Sequence, residues 1–190
     1  MRHRIALVGS SECTRNVALL LLLRDDCHVQ LSREDAGGLK AAAGALGVEP
    51  RVEGPVPIAA LTAAPIVIVC DGERVPVAEL AKRCPDALLI VATSDPLTDA
   101  AALQEALSWP RQRVIGLDAT AAAGSPAERA AGAVRLVDHV LADRGRVLEA
   151  TVQVTALGGP ESWASVPARI GAVGLQAIDA PPVRATAAVG

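Results

Sequence analysis

Three short stretches of the chain are continuously apolar, and segments rich in alanine, leucine and glutamate separate them. The apolar stretches cover residues 5–8, 66–70 and 88–92. Strands that are covered on both faces have this composition, as in a parallel sheet between two layers of helices. Residues 29–31 and 113–117 are shorter strand candidates. The pattern predicts alternating strands and helices, and hence an α/β fold.

Local chemistry places three of the intervening helices. Residues 14–24 are almost wholly apolar from Val17 onward, which predicts a helix buried against the sheet. Residues 32–46 follow the second strand and predict another helix. The run Ser125-Pro-Ala-Glu128 is a capping box with proline at the first helical position, so a long helix is expected to begin there.

The pattern changes after Gly145. From residue 148 to residue 156, apolar and polar side chains alternate strictly, which indicates a strand with one face in water. Because this is more typical of antiparallel pairing, we expect that strand to lie in a different layer from the parallel sheet. The small residues 119–124 predict a linker, and residues 179–190, which contain a proline pair, predict a loose tail.

Composition excludes several classes of function. The chain has 190 residues, of which 51% are hydrophobic, enough for one domain with a substantial core. Its net charge of -3 without a basic block, and the absence of Phe and Tyr, argue against nucleic acid as a partner. The longest apolar run, residues 17–23, is far shorter than the roughly 20 residues that span a bilayer. We therefore expect no membrane partner. Residues 1–4 lead directly into the first apolar strand, without the long apolar region of a secretory signal, so we expect a cytoplasmic protein.

The cysteines are predicted to be reduced packing residues. Cys13, Cys27, Cys70 and Cys84 form no CxxC pair, and no histidine stands at ligand spacing. We therefore expect no metal site.

The first strand ends in Gly9, at the place where a dinucleotide-binding domain carries its phosphate loop, G-x-G-x-x-G. The six residues from Gly9 read GSSECT, so only the first glycine is kept. Gly9, Ser10 and Ser11 are candidate cofactor-binding residues, while Glu12 adds a carboxylate near the expected phosphates. The alternative is a plain turn between a strand and a helix.

The second strand ends at Ser32, which Arg33 follows. An acidic residue about 20 residues beyond the loop binds the ribose of NAD, and an arginine accommodates the 2'-phosphate of NADP. Ser32 and Arg33 are therefore candidate cofactor-binding residues that favour NADP over NAD. A solvated turn without a ligand is an equally good interpretation.

Three further motifs resemble the lactate/malate dehydrogenase family. Residues 88–96, LLIVATSDP, resemble its apolar strand ending in Thr-Asn-Pro, and residues 113–116, RVIG, match its Arg-Val-Ile-Gly. Residues 156–162, ALGGPES, with Val-Pro at 166–167, resemble its Leu-Gly-Gly-His-Gly-Asp followed by Val-Pro. The resemblance covers residues 3 to about 175. It implies a doubly wound parallel sheet of the Rossmann type, with a short C-terminal antiparallel appendage, that binds NAD or NADP.

The resemblance also implies a division of the chain. We expect a Rossmann-type domain over residues 1–145, a remnant of the substrate domain over 146–178 and a flexible tail over 179–190. With the rest of the substrate domain missing, the apolar residues of 148–156 and 166–175 would lose their cover. We expect a second copy of the chain, or a partner protein, to cover them.

The departures from the family fall on its chemistry. The resemblance implies a catalytic histidine paired with an aspartate, yet Pro160 and Gly132 stand at those positions. Arg135 matches the family's substrate-binding arginine, and Asp95 replaces an asparagine at the nicotinamide end, where a carboxylate accepts a hydrogen bond but cannot donate one. Residues 71–86 are too few to hold both a helix and a closing loop.

No catalytic residue is therefore predicted, and three functions stay open. The first is a non-catalytic dehydrogenase relative that binds a nucleotide weakly or binds a partner protein. The second is an active NAD(P)-dependent oxidoreductase of a 2-hydroxy acid with a shared or non-standard site, and the third is a structural subunit without a ligand. Loss of the histidine, the aspartate and the lid together favours the first, because no route for the proton is left.

Overall fold

The computed structural model describes residues 2–32, 36–48, 51–54, 57, 61, 63–70, 75–155 and 161–179. The first six strands are β1 (His3–Val8), β2 (Cys27–Leu31), β3 (Val52–Glu53), β4 (Ile66–Val69), β5 (Leu88–Val91) and β6 (Val114–Gly116). The helices are α1 (Glu12–Leu22), α2 (Ala36–Ala45), α3 (Val77–Arg83), α4 (Pro96–Leu107), α5 (Ala119–Ala123) and α6 (Pro126–Ala142). The chain continues with β7 (Arg146–Thr155), β8 (Glu161–Gly171) and β9 (Gly174–Ile178).

The strands form one sheet in the order β3-β2-β1-β4-β5-β6-β7-β8-β9. Strands β1 to β6 pair in parallel. The chain winds outward from β1 to β3 and then crosses to β4 on the other side of β1, so the winding reverses between β1 and β4. This is the doubly wound order of the Rossmann fold, and the predicted fold class is confirmed.

Alternation along the strands divides the core into two layers. Ile5 and Leu7 belong to the apolar layer that contains α1 and α6, whereas Ala6 and Val8 belong to the layer that contains α3 and α4. Because both faces of the central strands are covered, those strands read as continuous apolar runs. Helix α6 begins at the predicted capping box, which is formed by Ser125 and Glu128.

The C-terminal strands differ from expectation in one respect. β7 pairs antiparallel with β8, as the alternation predicted, but it also pairs with β6 through Gly116 and Thr151 and so extends the main sheet. The expectation of a different layer is therefore wrong. Ala150 and Val152 of β7 pack in the layer of α1 and α6, while Glu149 on the other face is exposed. An antiparallel edge on a parallel sheet is a common arrangement.

The chain itself covers the apolar side chains that were expected to need a partner. Val166, Ala168, Ile170 and Leu175 are all at most 8% exposed. They lie in the same apolar layer as α6, which packs against β8. Uncovered apolar side chains in this region are therefore no longer a reason to expect a partner protein. Self-association and the domain division at residue 145 stay predictions.

The predicted linker at residues 119–124 is wrong, because the chain forms α5 there. Asp118 caps this helix by accepting a hydrogen bond from the Ala121 N–H at 2.9 Å. A run of alanines directly after an N-cap residue is a favourable helix start. Of the expected tail, only Asp179 is described, and its N–H donates to the Pro167 carbonyl at 2.9 Å.

All four cysteines are buried in the described part of the chain, as expected for packing residues. No helix in the described part of the chain has the length and hydropathy needed to cross a membrane.

Candidate functional site

The carboxyl ends of the parallel strands meet at one edge of the sheet, which we call the carboxyl edge. Gly9 follows β1 there, Ser32 follows β2, Cys70 follows β4 and Thr93 lies two residues beyond β5. In doubly wound sheets, ligands bind in the crevice at this edge, at the point where the winding reverses. Here that point lies between Gly9 and Cys70. The carboxyl edge is therefore the candidate site.

Gly9 makes the turn from β1 into α1. Its φ of 136° is a conformation that side-chain-bearing residues rarely adopt. The turn places Ser10, which is half-buried, and the amino terminus of α1 at the carboxyl edge. The structure thus brings Gly9, Ser10 and Ser11 together, in the place that the sequence predicted.

The amino terminus of α1 is less suited to a phosphate than its position implies. Ser11 caps the helix by accepting a hydrogen bond from the Thr14 N–H at 3.3 Å. Glu12 lies in the first turn, and its side chain is exposed. A carboxylate there offsets the partial positive charge of the helix terminus. Two unit charges 4 Å apart repel by about 1 kcal/mol in water and about 4 kcal/mol near a protein surface. The pyrophosphate of a dinucleotide therefore fits this turn poorly.

The first turn of α1 also packs against the end of β5. The Cys13 thiol donates a weak hydrogen bond to the Ala92 carbonyl at 3.7 Å. Ala92 directly precedes Thr93, so this contact places the first turn of α1 close to Thr93.

Ser32 lies beside the end of β1, because its N–H donates to the Leu7 carbonyl at 3.1 Å. Its side chain is only 7% exposed, and its hydroxyl has no hydrogen-bond partner among the described residues. Arg33 lies outside the described residues. The predicted preference for NADP over NAD stays a prediction.

Thr93 is a candidate residue that the sequence reasoning missed. It is 3% exposed, and its hydroxyl has no hydrogen-bond partner in the described part of the chain. Buried side-chain oxygens are nearly always paired, so Thr93 and Ser32 both indicate polar groups supplied from outside the described residues. A polar residue just after an apolar strand was the available signal, but its burial is evident only in the folded chain.

Asp95 also lies at the carboxyl edge, where it is exposed. It caps α4 by accepting a hydrogen bond from the Thr98 N–H at 3.3 Å. Helix capping by itself accounts for an acidic residue at this position. A contact with a ribose hydroxyl stays a prediction.

The structure does not place Arg135 beside the candidate residues at the carboxyl edge. It is exposed on α6, and its carbonyl accepts a hydrogen bond from His139 Nδ1 at 2.8 Å. Asp138, one turn further along α6, forms an ion pair with Arg24. Arg24 lies beyond the end of α1, so α6 is by then close to the opposite edge of the sheet. Pro160 lies outside the described residues.

The strands β7 and β8 are tied to the carboxyl edge beside β6. The Thr151 hydroxyl donates to the Leu117 carbonyl at 2.5 Å, and Ser165 Oγ accepts a hydrogen bond from the Ala119 N–H at 3.2 Å. Both bonds hold backbone groups that follow β6. This end of the carboxyl edge is therefore closed by the chain's own strands.

No protein-family model matches the chain, and no curated protein matches it. Solved structures do. The malate dehydrogenase of Aeropyrum pernix matches with a TM-score of 0.79 at 17% identity, over 94% of this chain and 91% of that chain. A lactate dehydrogenase of Eimeria maxima, solved with NADH and oxamate, matches with a TM-score of 0.80 at 17% identity, over 97% of this chain and 88% of that chain. The malate dehydrogenase of Cryptosporidium parvum gives a TM-score of 0.78 at 16% identity, over 97% and 93%.

These matches define the class of fold. The chain has the α/β dinucleotide-binding fold of lactate and malate dehydrogenases, as the sequence motifs implied. Identities of 16–17% show the fold alone. Because the matches cover about nine-tenths of those chains, they do not support the expectation that part of a second domain is missing, and that expectation stays a prediction.

Proposed function

We propose that this protein is a non-catalytic relative of lactate and malate dehydrogenases that binds NAD or NADP weakly at the carboxyl edge. The proposal that the protein is non-catalytic rests on the positions of its histidines. A dehydrogenase of 2-hydroxy acids needs a group that takes up and returns a proton beside the hydride acceptor, and histidine is the usual one.

The chain has three histidines, and all are described. His3 begins β1 and His28 is the second residue of β2, so both belong to the opposite edge of the sheet. His139 lies on α6, next to the Asp138 that contacts Arg24. No imidazole among these three is positioned to serve a ligand at the carboxyl edge.

The nucleotide half of the proposal is supported by the turn at Gly9 and by the buried hydroxyls of Ser32 and Thr93. They lie along the edge where this class of fold binds dinucleotides. The similar lactate dehydrogenase of Eimeria maxima was solved with NADH, which makes NAD a reasonable ligand to test. Weak binding is proposed because Ser11 replaces a glycine of the phosphate loop and Glu12 adds a carboxylate near the expected pyrophosphate.

Thermal-shift titration with NAD, NADH, NADP and NADPH tests binding. A ligand that binds only the folded state adds about 2.7 kcal/mol of stability at 100 times its Kd. Gly9→Val should abolish the shift, because it places a side chain in the turn. Gly47→Val is the matched control, since Gly47 also has a positive φ, 67°, but no atom lies near its Cβ position and it follows α2. No shift with any of the four ligands, or an unchanged shift in Gly9→Val, would contradict the proposal.

Activity is tested separately. Purified protein should give no lactate- or malate-dependent reduction of NAD or NADP. Turnover above that of a boiled sample, lost on substitution of a residue of this chain, would favour the alternative of an active oxidoreductase. We also propose a cytoplasmic location, which the four buried cysteines without a disulfide support.

A further inference from the structure

The first turn of α1 already uses its own groups where a phosphate would bind. A phosphate at a helix amino terminus accepts hydrogen bonds from the first backbone N–H groups. In this chain the Thr14 N–H donates to Ser11 Oγ, and the Arg15 N–H donates to the Ser11 carbonyl at 3.1 Å. The capping serine therefore competes with a ligand for the Thr14 N–H.

Carboxylates of the chain itself also supply negative charge at helix termini where a ligand phosphate would otherwise supply it. Glu12, Asp95 and Asp118 each lie in or directly before the first turn of a helix that begins at the carboxyl edge. Negative charge at these positions already complements the helix termini. Arg15 lies in the same turn as Glu12, and none of the ion pairs between described residues joins the two.

The unsatisfied groups at this edge are uncharged. The Ser32 and Thr93 hydroxyls are each more than nine-tenths buried and have no hydrogen-bond partner in the described ranges. Three strand spacings separate β2 from β5 in the order β2-β1-β4-β5, which is about 14 Å. Ser32 and Thr93 therefore stand on either side of the crevice between β1 and β4. Hydroxyls pair well with the ring nitrogens and sugar hydroxyls of a nucleoside.

We infer that the crevice recognises the nucleoside part of its ligand and gains nothing from the phosphates, so that it binds adenosine as tightly as it binds ADP. This inference rests on the proposed function, because it assumes a nucleotide at the carboxyl edge. The carboxylate of Glu12 is the group that cancels the phosphate contribution, and the Ser11 cap assists it.

Isothermal titration calorimetry of the full chain with adenosine and with ADP tests the inference. The two dissociation constants should agree within about threefold. Glu12→Gln should tighten ADP about fivefold and leave adenosine unchanged, the factor expected for one pair of unit charges 4 Å apart in water. Glu105→Gln removes the same charge from an exposed position in the last turn of α4 and should change neither constant.

Salt dependence gives a second readout that needs no variant. Screening weakens repulsion between exposed charges, so ADP should bind the unsubstituted chain more tightly at 0.5 M than at 0.05 M NaCl. A site that attracts phosphate would show the opposite trend. Ser11→Gly, which keeps a tolerated N-cap residue but frees the Thr14 N–H, should also favour ADP over adenosine.

Three results would overturn the inference. ADP binding tenfold tighter than adenosine binding to the unsubstituted chain would show that phosphate is recognised, while the proposed function would stand. Equal binding without a gain for ADP in Glu12→Gln would remove the role assigned to Glu12. No binding of either compound, together with no thermal shift for the dinucleotides, would contradict the proposed function and this inference with it.

Discussion

Gly132 on α6 lies directly against Leu117, the residue that follows β6. A Cβ at Gly132 would be 3.2 Å from Leu117 Cδ2 and 3.1 Å from the Ala121 Cβ on α5. These distances are shorter than ordinary van der Waals contact, so the close approach of α6 to α5 and Leu117 depends on the missing side chain. The position at which the sequence resemblance implied a catalytic aspartate is therefore a packing position in this chain.

Gly132→Asp should destabilise the fold and restore no activity. A carboxylate at this buried position would be overpacked and would lack a compensating charge, which we expect to cost about 2–4 kcal/mol of unfolding free energy. Urea denaturation measures the loss. Ala131→Asp, at the neighbouring exposed position of α6, is the control and should change stability by less than about 0.5 kcal/mol. Equal stabilities of the two variants would refute the packing role.

Ser125→Ala should weaken the start of α6. Ser125 Oγ accepts a hydrogen bond from the Glu128 N–H. In return, the Ser125 backbone N–H and the Ser125 hydroxyl donate to Glu128 Oε2 at 2.7 and 2.8 Å. Loss of an N-cap serine costs about 1 kcal/mol. The Ser125 backbone N–H, and after it the Ser125 hydroxyl, lower the pKa of Glu128. Alanine keeps the backbone donor and loses the hydroxyl, so the variant should raise that pKa only part of the way toward its usual value. Urea denaturation and a carboxyl NMR titration measure the two effects, and Ser94→Ala, at an exposed position, is the control.

The Asp26 carboxylate should stabilise the folded chain at neutral and mildly acidic pH, but no longer in strong acid. Arg24 donates to both of its carboxylate oxygens, at 3.0 and 2.9 Å, and these bonds lower the pKa of Asp26 from 3.8 to about 2. Because the folded-state pKa is depressed, the contribution is complete above about pH 4 and is lost as the pH falls toward 2. It is modest, since the Asp26 side chain is 45% exposed.

The measurement for Asp26 is the unfolding free energy between pH 2 and pH 6. Asp26→Asn should be less stable than the unsubstituted chain at pH 6, and the difference should shrink as the pH falls to 2. Glu105→Gln is the control, because Glu105 is exposed on α4 and none of the ion pairs between described residues includes it. A difference that does not depend on pH would contradict the role of the charge.

The cysteine thiols should resist alkylation in the folded protein. Burial, assisted by the neighbouring Asp26, raises the pKa of Cys27 to about 11, and burial also raises the pKa of Cys84. Since the thiolate is the reactive form, iodoacetamide at pH 8 should react only as the chain unfolds. Mass spectrometry should count four alkylated cysteines in denaturant and none after the same time in buffer. Rapid modification of Cys27 in buffer would show that the end of α1 opens readily.

We expect the chain to self-associate through the β9 edge of the sheet. β9 is the last strand in the sheet order, and next to it Val173 is 73% exposed while Ile178 is 37% exposed. An unpaired edge with apolar side chains is a template for a second strand, and lysine on such an edge prevents pairing. Light scattering should give a dimer that Ile178→Lys converts to a monomer. Leu46→Lys, at an exposed position after α2, is the control. A monomer at micromolar concentration would contradict the prediction.

The sequence by itself determined the features that depend on neighbouring residues. Continuous apolar runs identified the central strands, because those strands are covered on both faces. The capping box of Ser125 and Glu128 identified the start of α6, because its hydrogen bonds join residues three positions apart. Gly9 and Ser11 were likewise found from their place at the end of β1, where both residues belong to one turn.

Only the tertiary structure decided the features that depend on distant residues. Thr151 pairs with Gly116 and so places β7 in the main sheet, and no local pattern distinguishes that from a separate layer. Thr93 became a candidate only when its hydroxyl proved to be buried without a partner among the described residues. It follows Ala92, whose carbonyl accepts a hydrogen bond from the Cys13 thiol. Cys13 and Ala92 are 79 residues apart in the chain. Such contacts form only when the whole sheet has assembled, because alternation along a strand shows which side chains share a face but not which strand lies beside it.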